Sequence, residues 1–153
     1  MIFSRRRFLL GAAMMPLCAT AGFAQMSDVW SVDQVQAALA ADEIRVIDVR
    51  RPEEWAQTGV AKGAWPLDMT SADFSKKIFL ARDLAQGRPI ALICRTANRT
   101  GFLMQQIRKA GIQGFVDTQG GMVGKGDIKG WIESDLPIVS AQEALANLPD
   151  VLR

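Results

Sequence analysis

The 153-residue sequence contains no histidine, and it has only two cysteines, Cys18 and Cys94. Without histidine, nucleophiles of the Cys–His or Ser–His–Asp type are excluded, and so are zinc sites built on histidine. Internal repeats and low-complexity linkers are also absent. The nucleophile that remains for covalent chemistry of this kind is a cysteine, activated by something other than a histidine base.

Charge of one sign is not in excess in the body of the chain. The formal net charge is +2, but three arginines lie at positions 5–7; without residues 1–24 there remain 15 basic and 16 acidic residues, a net charge of −1. A nearly neutral domain gives no electrostatic reason to expect nucleic acid or an anionic membrane as a partner. The composition, with 49% hydrophobic and 22% charged residues, is typical of a globular domain.

Residues 1–24 are predicted to be a signal peptide of the twin-arginine type. The arginines precede an apolar stretch from Phe8 to about Ala21, which is shorter than the about 20 residues that a membrane-spanning helix needs. Small residues allow cleavage after Ala21 or after Ala24. We therefore expect export to the bacterial periplasm and no stable membrane association after cleavage. An uncleaved N-terminal anchor is the alternative.

Cys18 lies inside this predicted signal peptide, so Cys94 is the single thiol of residues 25–153. These residues are expected to form one domain, because their number suits a single hydrophobic core. With one cysteine the domain has no internal disulfide, which is unusual for a small domain in an oxidising compartment.

Strands and helices are predicted to alternate along the domain. Buried strands are expected at residues 44–49, 89–93 and 115–117, and helices at 72–85 and 99–110. Ser31 and Ser140 each open a further helix with a capping-box pattern, and Trp131 and Ile132 are expected to begin a short one. The inward stripes are predicted to be Phe74, Ile78, Ala81 and Leu84 on one helix, and Leu103, Ile107 and Ala110 on another. The alternation predicts an α/β fold with a largely parallel sheet.

Cys94 directly follows a predicted strand and opens the polar loop 94–99, which leads into a helix. Ligands of parallel sheets bind at the carboxyl ends of strands. Backbone N–H groups of the loop, the positive end of the helix dipole, Arg95 and Arg99 all favour a negative charge there. Such surroundings stabilise a thiolate, the reactive form of cysteine. A buried structural cysteine is the alternative interpretation.

Four ordered motifs resemble those of the rhodanese family. Residues 94–100 (CRTANRT) resemble the active-site loop C-R-S-G-N-R-S, and residues 47–55 resemble a strand ending in D-V-R followed by E-[FYW]. Residues 59–67 are similar to the segment G-H-I-x-G-A-x-N-I, and residues 120–139 to the closing G-G…W…L-P-V. The resemblance extends over about residues 31–139. It implies a rhodanese-like α/β fold, with a central, mostly parallel sheet flanked by helices on both faces.

The same resemblance implies a sulfurtransferase. Cys94 would take a sulfane sulfur from thiosulfate or a persulfide and pass it to cyanide or a thiol, with no cofactor and no metal. The small anionic donor would be bound by loop residues Arg95, Thr96, Ala97, Asn98 and Arg99. Behind the loop, Asp48 is expected to hydrogen-bond the loop and Arg50 to pair with Glu54, or the two form a surface salt bridge.

Two alternatives differ in chemistry. A rhodanese fold can serve as a non-enzymatic sulfur carrier or docking module for a periplasmic partner protein. The second alternative is a phosphatase or arsenate reductase of related architecture. The active-site loop of those enzymes has the form C-x5-R, whereas the spacing from Cys94 to Arg99 is C-x4-R. The shorter loop suits a single sulfur.

The sequence departs from the family pattern at two places near this loop. Ala97 replaces the usual glycine, and a positive φ there would strain alanine by about 1 kcal/mol. Residues 122–130 form an insertion between Gly121 and Trp131. It is expected to lie near the mouth of the pocket, where it shapes substrate access or contacts a partner, or else to be a flexible surface excursion.

Overall fold

Helices and strands alternate along residues 28–153, the part of the chain that our computed structural model describes. The strands are β1 (Val29–Trp30), β2 (Arg45–Asp48), β3 (Val60–Ala61), β4 (Trp65–Pro66), β5 (Ile90–Ile93), β6 (Phe115–Thr118) and β7 (Ile138–Val139). The helices are α1 (Val32–Ala40), α2 (Pro52–Thr58), α3 (Phe74–Leu84), α4 (Asn98–Lys109) and α5 (Ala141–Ala146), followed by a 3₁₀ turn at Asp150–Leu152. The predicted signal peptide lies outside the described residues.

Five strands form one parallel sheet in the order β1-β6-β5-β2-β4. Strands β3 and β7 form a separate antiparallel pair. In the large sheet, Leu92 of β5 lies level with Ile47 of β2 and with Asp117 of β6. The carboxyl ends of β2, β5 and β6 therefore meet at one edge, with β5 in the middle.

Helices cover both faces of this sheet. One core packs α1, α2 and α5 against the sheet and includes Val35, Val46, Trp55, Ile93, Trp131 and Ala144. The other packs α3 and α4 against the opposite face and includes Ile47, Ile78, Leu92, Met104 and Ile107. The predicted α/β fold, a mostly parallel sheet between two helical layers, is confirmed.

The predicted serines cap the N-termini of α1 and α5, with both bonds of the capping box at Ser31 and the serine bond alone at Ser140. Ser31 accepts a hydrogen bond from the Gln34 amide at 3.2 Å, and the Gln34 side chain accepts one from the Ser31 amide at 2.9 Å. Ser140 likewise accepts a bond from the Glu143 amide at 3.1 Å. Between residues 28 and 153, no helix has both the length and the apolar character that crossing a membrane would require.

Two predicted inward residues are exposed instead. Leu84 of α3 is 37% exposed, because the buried stripe runs through Ile78 and Ala81 to Ala85, four residues beyond Ala81. Ala110 is exposed at the C-terminal end of α4. The buried stripe of α4 runs through Thr100, Met104 and Ile107. The sequence prediction named Ile107 correctly but missed the start of the stripe, because a polar threonine begins it.

The helix predicted to begin at Trp131 is wrong. Residues 131–135 form hydrogen-bonded turns, in which the Asp135 amide donates to the carbonyl of Ile132 and Asp135 has a φ of 52°. A left-handed residue and the nearby Pro137 stop a helix from extending. The turns place the fully buried Trp131 in the core, where its indole N–H donates to the Pro137 carbonyl at 2.9 Å.

Candidate active site

Cys94 lies immediately after β5, at the carboxyl edge of the sheet. It is a free cysteine and is 1% exposed. Its sulfur lies 3.5 Å from the hydroxyl oxygen of Thr100, a fully buried residue in the first turn of α4. The strand–cysteine–loop–helix arrangement therefore places the thiol between the end of a central strand and the start of a helix.

The loop after Cys94 ends in a strained residue. Ala97 is the N-cap of α4 and has φ 64° and ψ 4°, in the left-handed region. A side chain in this region costs an alanine about 1 kcal/mol relative to glycine. The positive φ that glycine would adopt easily is thus kept at this position although the residue is alanine.

The backbone amides of the loop form a set of unused donors. Within the described part of the chain, none of the N–H groups from Arg95 to Thr100 donates a hydrogen bond, and the first turn of α4 has no side-chain cap. The Gly101 amide is the first to donate, to the carbonyl of Ala97 at 3.0 Å. Because α4 has 12 residues, its dipole adds to these donors. Unpaired amides at a helix N-terminus are a binding site for an anion.

The two arginines of the loop have different surroundings. Arg99 donates two hydrogen bonds to the Glu54 carboxylate, at 2.7 and 2.5 Å. The Arg99 guanidinium lowers the pKa of Glu54 to about 2, and the hydrogen bonds to Glu54 raise the pKa of Arg99. The side chain of Arg95 is exposed and makes no hydrogen bond or ion pair with any residue of the 28–153 range. Arg99 is committed to holding the loop, whereas Arg95 is available to a ligand.

Asp48 and Arg50 form a salt bridge with each other, which is the alternative prediction, but the pair is buried instead of lying at the surface. The predicted hydrogen bond from Asp48 to the loop and the predicted pair of Arg50 with the Glu54 carboxylate are wrong, because Arg50 reaches Glu54 through its backbone carbonyl, at 3.5 Å. The side chains of Asp48 and Arg50 are 0% and 1% exposed, and Arg50 donates to both Asp48 oxygens at 2.7 to 3.1 Å. Arg50 also donates to the Thr58 hydroxyl and to the Gly59 carbonyl, each at 2.7 Å. The Glu54 carboxylate is taken by Arg99 instead, and the Asp48 carboxylate is turned to Arg50 rather than to the loop. The pair ties the end of β2 to the C-terminal end of α2.

The insertion 122–130 packs against the active-site loop rather than forming a loose excursion. The amides of Met122 and Val123 donate to the carbonyls of Cys94 and Arg95, at 2.9 and 3.0 Å. Met122 is fully buried. Gly121, with φ 61°, lies directly under the loop, since a Cβ there would come within 2.5 Å of the Cys94 carbonyl oxygen. The insertion and Gly121 thus support the start of the loop from below.

Lys125 extends from the same segment to the other end of the loop. Its ammonium donates to the side-chain oxygen of Asn98 at 2.8 Å, and both residues are exposed. A second cation is therefore present beside the loop, in addition to Arg95. The role of the insertion in substrate access stays a prediction.

The predicted site residues 94–99 lie together, in the loop and at the start of α4, and the structure adds four residues that sequence reasoning did not assign to the site. These are Glu54, Thr100, Gly121 and Lys125. The signals for the first three were present, because each lies inside one of the motifs noted above. Lys125 had no such signal, since it lies in the insertion. Among the described residues no group of three or more histidines, cysteines or carboxylates is arranged to hold a metal ion.

Comparison with known proteins agrees with this architecture. An uncharacterized protein from Synechocystis sp. is 29% identical over 103 residues, which span 67% of this chain and 51% of that protein. The chain thus matches about half the length of this relative. Thiosulfate sulfurtransferase from Pseudomonas aeruginosa superposes with a TM-score of 0.58 at 20% identity, over 76% of this chain and 21% of that one.

A second similar structure is that of a protein from Rhodopseudomonas palustris described as a possible tyrosine phosphatase. It superposes with a TM-score of 0.53 at 18% identity, over 74% of this chain and 85% of that one. At these identities the two structures establish the fold alone. The family model of the rhodanese-like domain matches residues 31–131, more than half of the chain and including the whole Cys94 loop. The chain therefore belongs to the rhodanese-like domain family.

Proposed function

We propose that the protein is a sulfurtransferase that moves a sulfane sulfur from thiosulfate or a persulfide to a thiophilic acceptor. The observation that carries the proposal is the set of unused amides from Arg95 to Thr100, opposite a buried cysteine and beside the unpaired Arg95. The negative charge of an anionic donor is complementary to these N–H groups and to the Arg95 guanidinium. Membership of the rhodanese-like family, and the similarity in fold to a thiosulfate sulfurtransferase, support the same reaction.

The reaction has two half-reactions. The Cys94 thiolate attacks the outer sulfur of thiosulfate, a new S–S bond forms, and the S–S bond of the donor breaks as sulfite leaves with its electron pair. Cyanide or a thiolate then attacks the outer sulfur of the Cys94 persulfide, and the Cys94 thiolate leaves. Arg95 attracts the donor and stabilises the charge of the departing sulfite, and the loop amides hold the anionic persulfide. Thr96, Ala97 and Asn98 contribute through their backbone N–H groups.

A phosphatase is disfavoured by the same geometry. A phosphoryl group needs a cation held against its oxygens, but here the arginine at the end of the loop is bound by Glu54 through two hydrogen bonds. A loop of C-x4-R form is also one residue shorter than the C-x5-R loop of the phosphatases, and it leaves less room for a phosphoryl group. A non-enzymatic sulfur carrier, serving a partner protein, would use the same first half-reaction and lack rapid transfer to small acceptors.

A thiosulfate–cyanide assay tests the proposal. The full chain with Cys18→Ser, in which Cys94 is the only thiol, is expected to form thiocyanate, and Cys94→Ala in the same background is expected to form none. Hydrolysis of p-nitrophenyl phosphate is measured in parallel. Phosphatase activity that disappears in Cys94→Ser, without thiocyanate formation, would contradict the proposal.

We also propose that the protein works in the periplasm. Support comes from the consecutive arginines at 5–7 and the apolar stretch after them. Cell fractionation is expected to recover the wild-type chain from the periplasm, and a variant with lysine at positions 5 and 6 from the cytoplasm. Equal distribution of the two variants would contradict the proposed route.

A further inference from the structure

A buried carboxylate lies on the strand next to the one that Cys94 follows. Asp117 is on β6, level with Leu92 of β5. Leu92 of β5 and Cys94, just after β5, are two residues apart and belong to the same core, as does Phe115, two residues before Asp117. Because side chains alternate along strands, Asp117 and Cys94 point to the same face of the sheet and are diagonal neighbours across adjacent strands.

Thr100 lies between these two groups. It projects from the first turn of α4, on the buried stripe that faces this side of the sheet. Its hydroxyl is 3.5 Å from the Cys94 sulfur. The Asp117 carboxylate lies close to the same turn of α4, since a Cβ at Gly101 would come within 3.9 Å of its Oδ2, and the Thr100 hydroxyl acts to lower the pKa of Asp117. A hydroxyl both donates and accepts a proton. Thr100 can therefore accept the proton of a thiol while it donates its own to a carboxylate.

Asp117 is unusual in how few partners it has. It is 9% exposed, and its buried Oδ1 has no hydrogen-bond partner among the described residues. Burial raises the pKa of Asp117, and the Thr100 hydroxyl opposes this rise only in part. An unpaired buried carboxylate costs stability, so a role in the site would explain why one stands here.

The charged groups around Asp117 are few. Arg108, two turns beyond Thr100 on α4, is attracted to the carboxylate but pairs with Asp28 at 3.1 Å. Asp28 lies just before β1, and its backbone carbonyl accepts a hydrogen bond from the Asp117 amide at 2.7 Å. From β5, the facing group is Cys94 itself. Within the described chain, the group that links Asp117 to a reactive atom is the Thr100 hydroxyl.

We infer that Asp117 accepts the proton of the Cys94 thiol through the hydroxyl of Thr100. The S–H bond of Cys94 breaks, its proton passes to the Thr100 oxygen, and the original Thr100 proton passes to the Asp117 carboxylate. The products are a thiolate, an unchanged hydroxyl and a neutral carboxylic acid, so the net charge is conserved and two adjacent anions are avoided. The chain has no histidine to act as a general base, and in this relay the Asp117 carboxylate accepts the proton instead.

The inference deepens the proposed function, because the thiolate it produces is the nucleophile of sulfur transfer. Asp117 acts through Thr100 and is therefore a positioning residue and not a catalytic one. Its effect is measurable without any sulfur donor, as the rate at which Cys94 reacts with iodoacetamide, a neutral probe whose approach does not depend on Arg95.

The experiment records the alkylation rate of Cys94 against pH in the full chain with Cys18→Ser. The wild-type rate is expected to fall in acid, as pH drops through the raised pKa of Asp117, and to be flat around neutral pH. Asp117→Asn is expected to lower the neutral rate about tenfold or more and to make it rise steadily with pH. Thr100→Val is expected to do the same, Thr100→Ser to restore the wild-type profile, and the double variant to be no slower than either single one.

An alkylation rate that rises in Asp117→Asn, instead of falling, overturns the inference. If Asp117 were only a negative neighbour that disfavours the thiolate, Asp117→Asn would react faster in acid and at neutral pH. An unchanged profile would overturn it as well. Asp83→Asn, which removes an exposed carboxylate from α3, is the matched control and is expected to leave the profile unaltered, and thermal melting checks that every variant folds.

The two proposals fail in different ways. A wild-type chain that shows the expected alkylation profile but forms no thiocyanate would contradict the sulfurtransferase and support the relay. A chain that forms thiocyanate, with alkylation unaffected by Asp117→Asn, would contradict the relay and support the sulfurtransferase.

Discussion

The two ends of the Cys94 loop carry the same residue type in opposite situations. Arg95, next to the cysteine, is exposed and unpaired within residues 28–153, whereas Arg99 is partly buried and held by two hydrogen bonds from its guanidinium to Glu54. A spacing such as C-x4-R does not distinguish them. The difference teaches that a charge beside a nucleophile serves a ligand only when the fold leaves it without a partner.

The paired end of the loop depends on a second ion pair farther from the cysteine. Arg50 is bound to Asp48 and also to the C-terminal end of α2, through Thr58 and Gly59. Helix α2 in turn carries Glu54, which holds Arg99. The buried pair thus positions the helix, the helix positions the carboxylate, and the carboxylate fixes one end of the loop.

The largest expected effect comes from breaking the buried pair. Arg50→Gln leaves the Asp48 carboxylate buried without its partner, and we expect a loss of about 3–5 kcal/mol in the free energy of unfolding. Urea denaturation measures it. The control is Arg45→Gln, because Arg45 pairs with an aspartate that is 61% exposed and such a pair contributes about 0–1 kcal/mol. Equal losses in the two variants would contradict the supporting role of Arg50.

The unpaired end is expected to affect activity and not stability. In Arg95→Gln the charge-assisted contact with an anionic donor is lost, and we expect KM for thiosulfate to rise about tenfold with the urea midpoint unchanged. Arg82→Gln, on the exposed side of α3, controls for the loss of one positive charge. A shift in the midpoint and an unchanged KM would mean that Arg95 is structural.

Removal of the Glu54 carboxylate is expected to lower both stability and activity. Glu54→Gln weakens the hydrogen bonds to Arg99, and we expect a loss of about 1–2 kcal/mol at neutral pH together with lower activity. The sign with pH follows from the lowered pKa of Glu54: the stabilisation is present above the ordinary glutamate range and is lost as pH falls from about 4.5 toward about 2. The wild type and Glu54→Gln should therefore converge in stability in acid. Curves that stay parallel to low pH would contradict the pair.

The smallest expected effect is that of a substitution at Ala97, which lies between the two arginines. Ala97→Gly removes the left-handed strain at the N-cap of α4, and a gain of about 1 kcal/mol in unfolding free energy is expected. The gain is reduced by the greater freedom of glycine in the unfolded chain. Thermal melting measures it, with Ala37→Gly in α1 as a control that is expected to destabilise. A loss at Ala97 as large as that at Ala37 would show that the loop does not strain alanine.

Local patterns predicted much of this arrangement. The capping boxes, the β-branched strands and the strand–cysteine–helix order depend on neighbouring residues, so the fold and the place of Cys94 followed from the sequence. The choice of partners did not. Glu54 and Arg99 are 45 positions apart, and which arginine reaches the carboxylate depends on where the sheet places α2 relative to the loop.

Two other features escaped prediction because their sequence resembles something else. The insertion 122–130 is rich in glycine, like a surface loop, but the amides of Met122 and Val123 donate hydrogen bonds to the carbonyls of Cys94 and Arg95. Asp117 ends the strand predicted at residues 115–117, like a residue turning toward solvent, and the register of β5 and β6 is needed to show that it lies diagonally opposite the cysteine.

The central claim is that Cys94 takes up sulfur, and the mass of the intact chain tests it most directly. The full chain with Cys18→Ser is treated with thiosulfate, freed of excess donor and weighed by mass spectrometry beside the same chain with Cys94→Ser. We predict a mass increase of one sulfur atom in the first protein, lost on addition of cyanide, and none in the second. A first protein whose mass does not change, or an equal increase in both, would contradict the account.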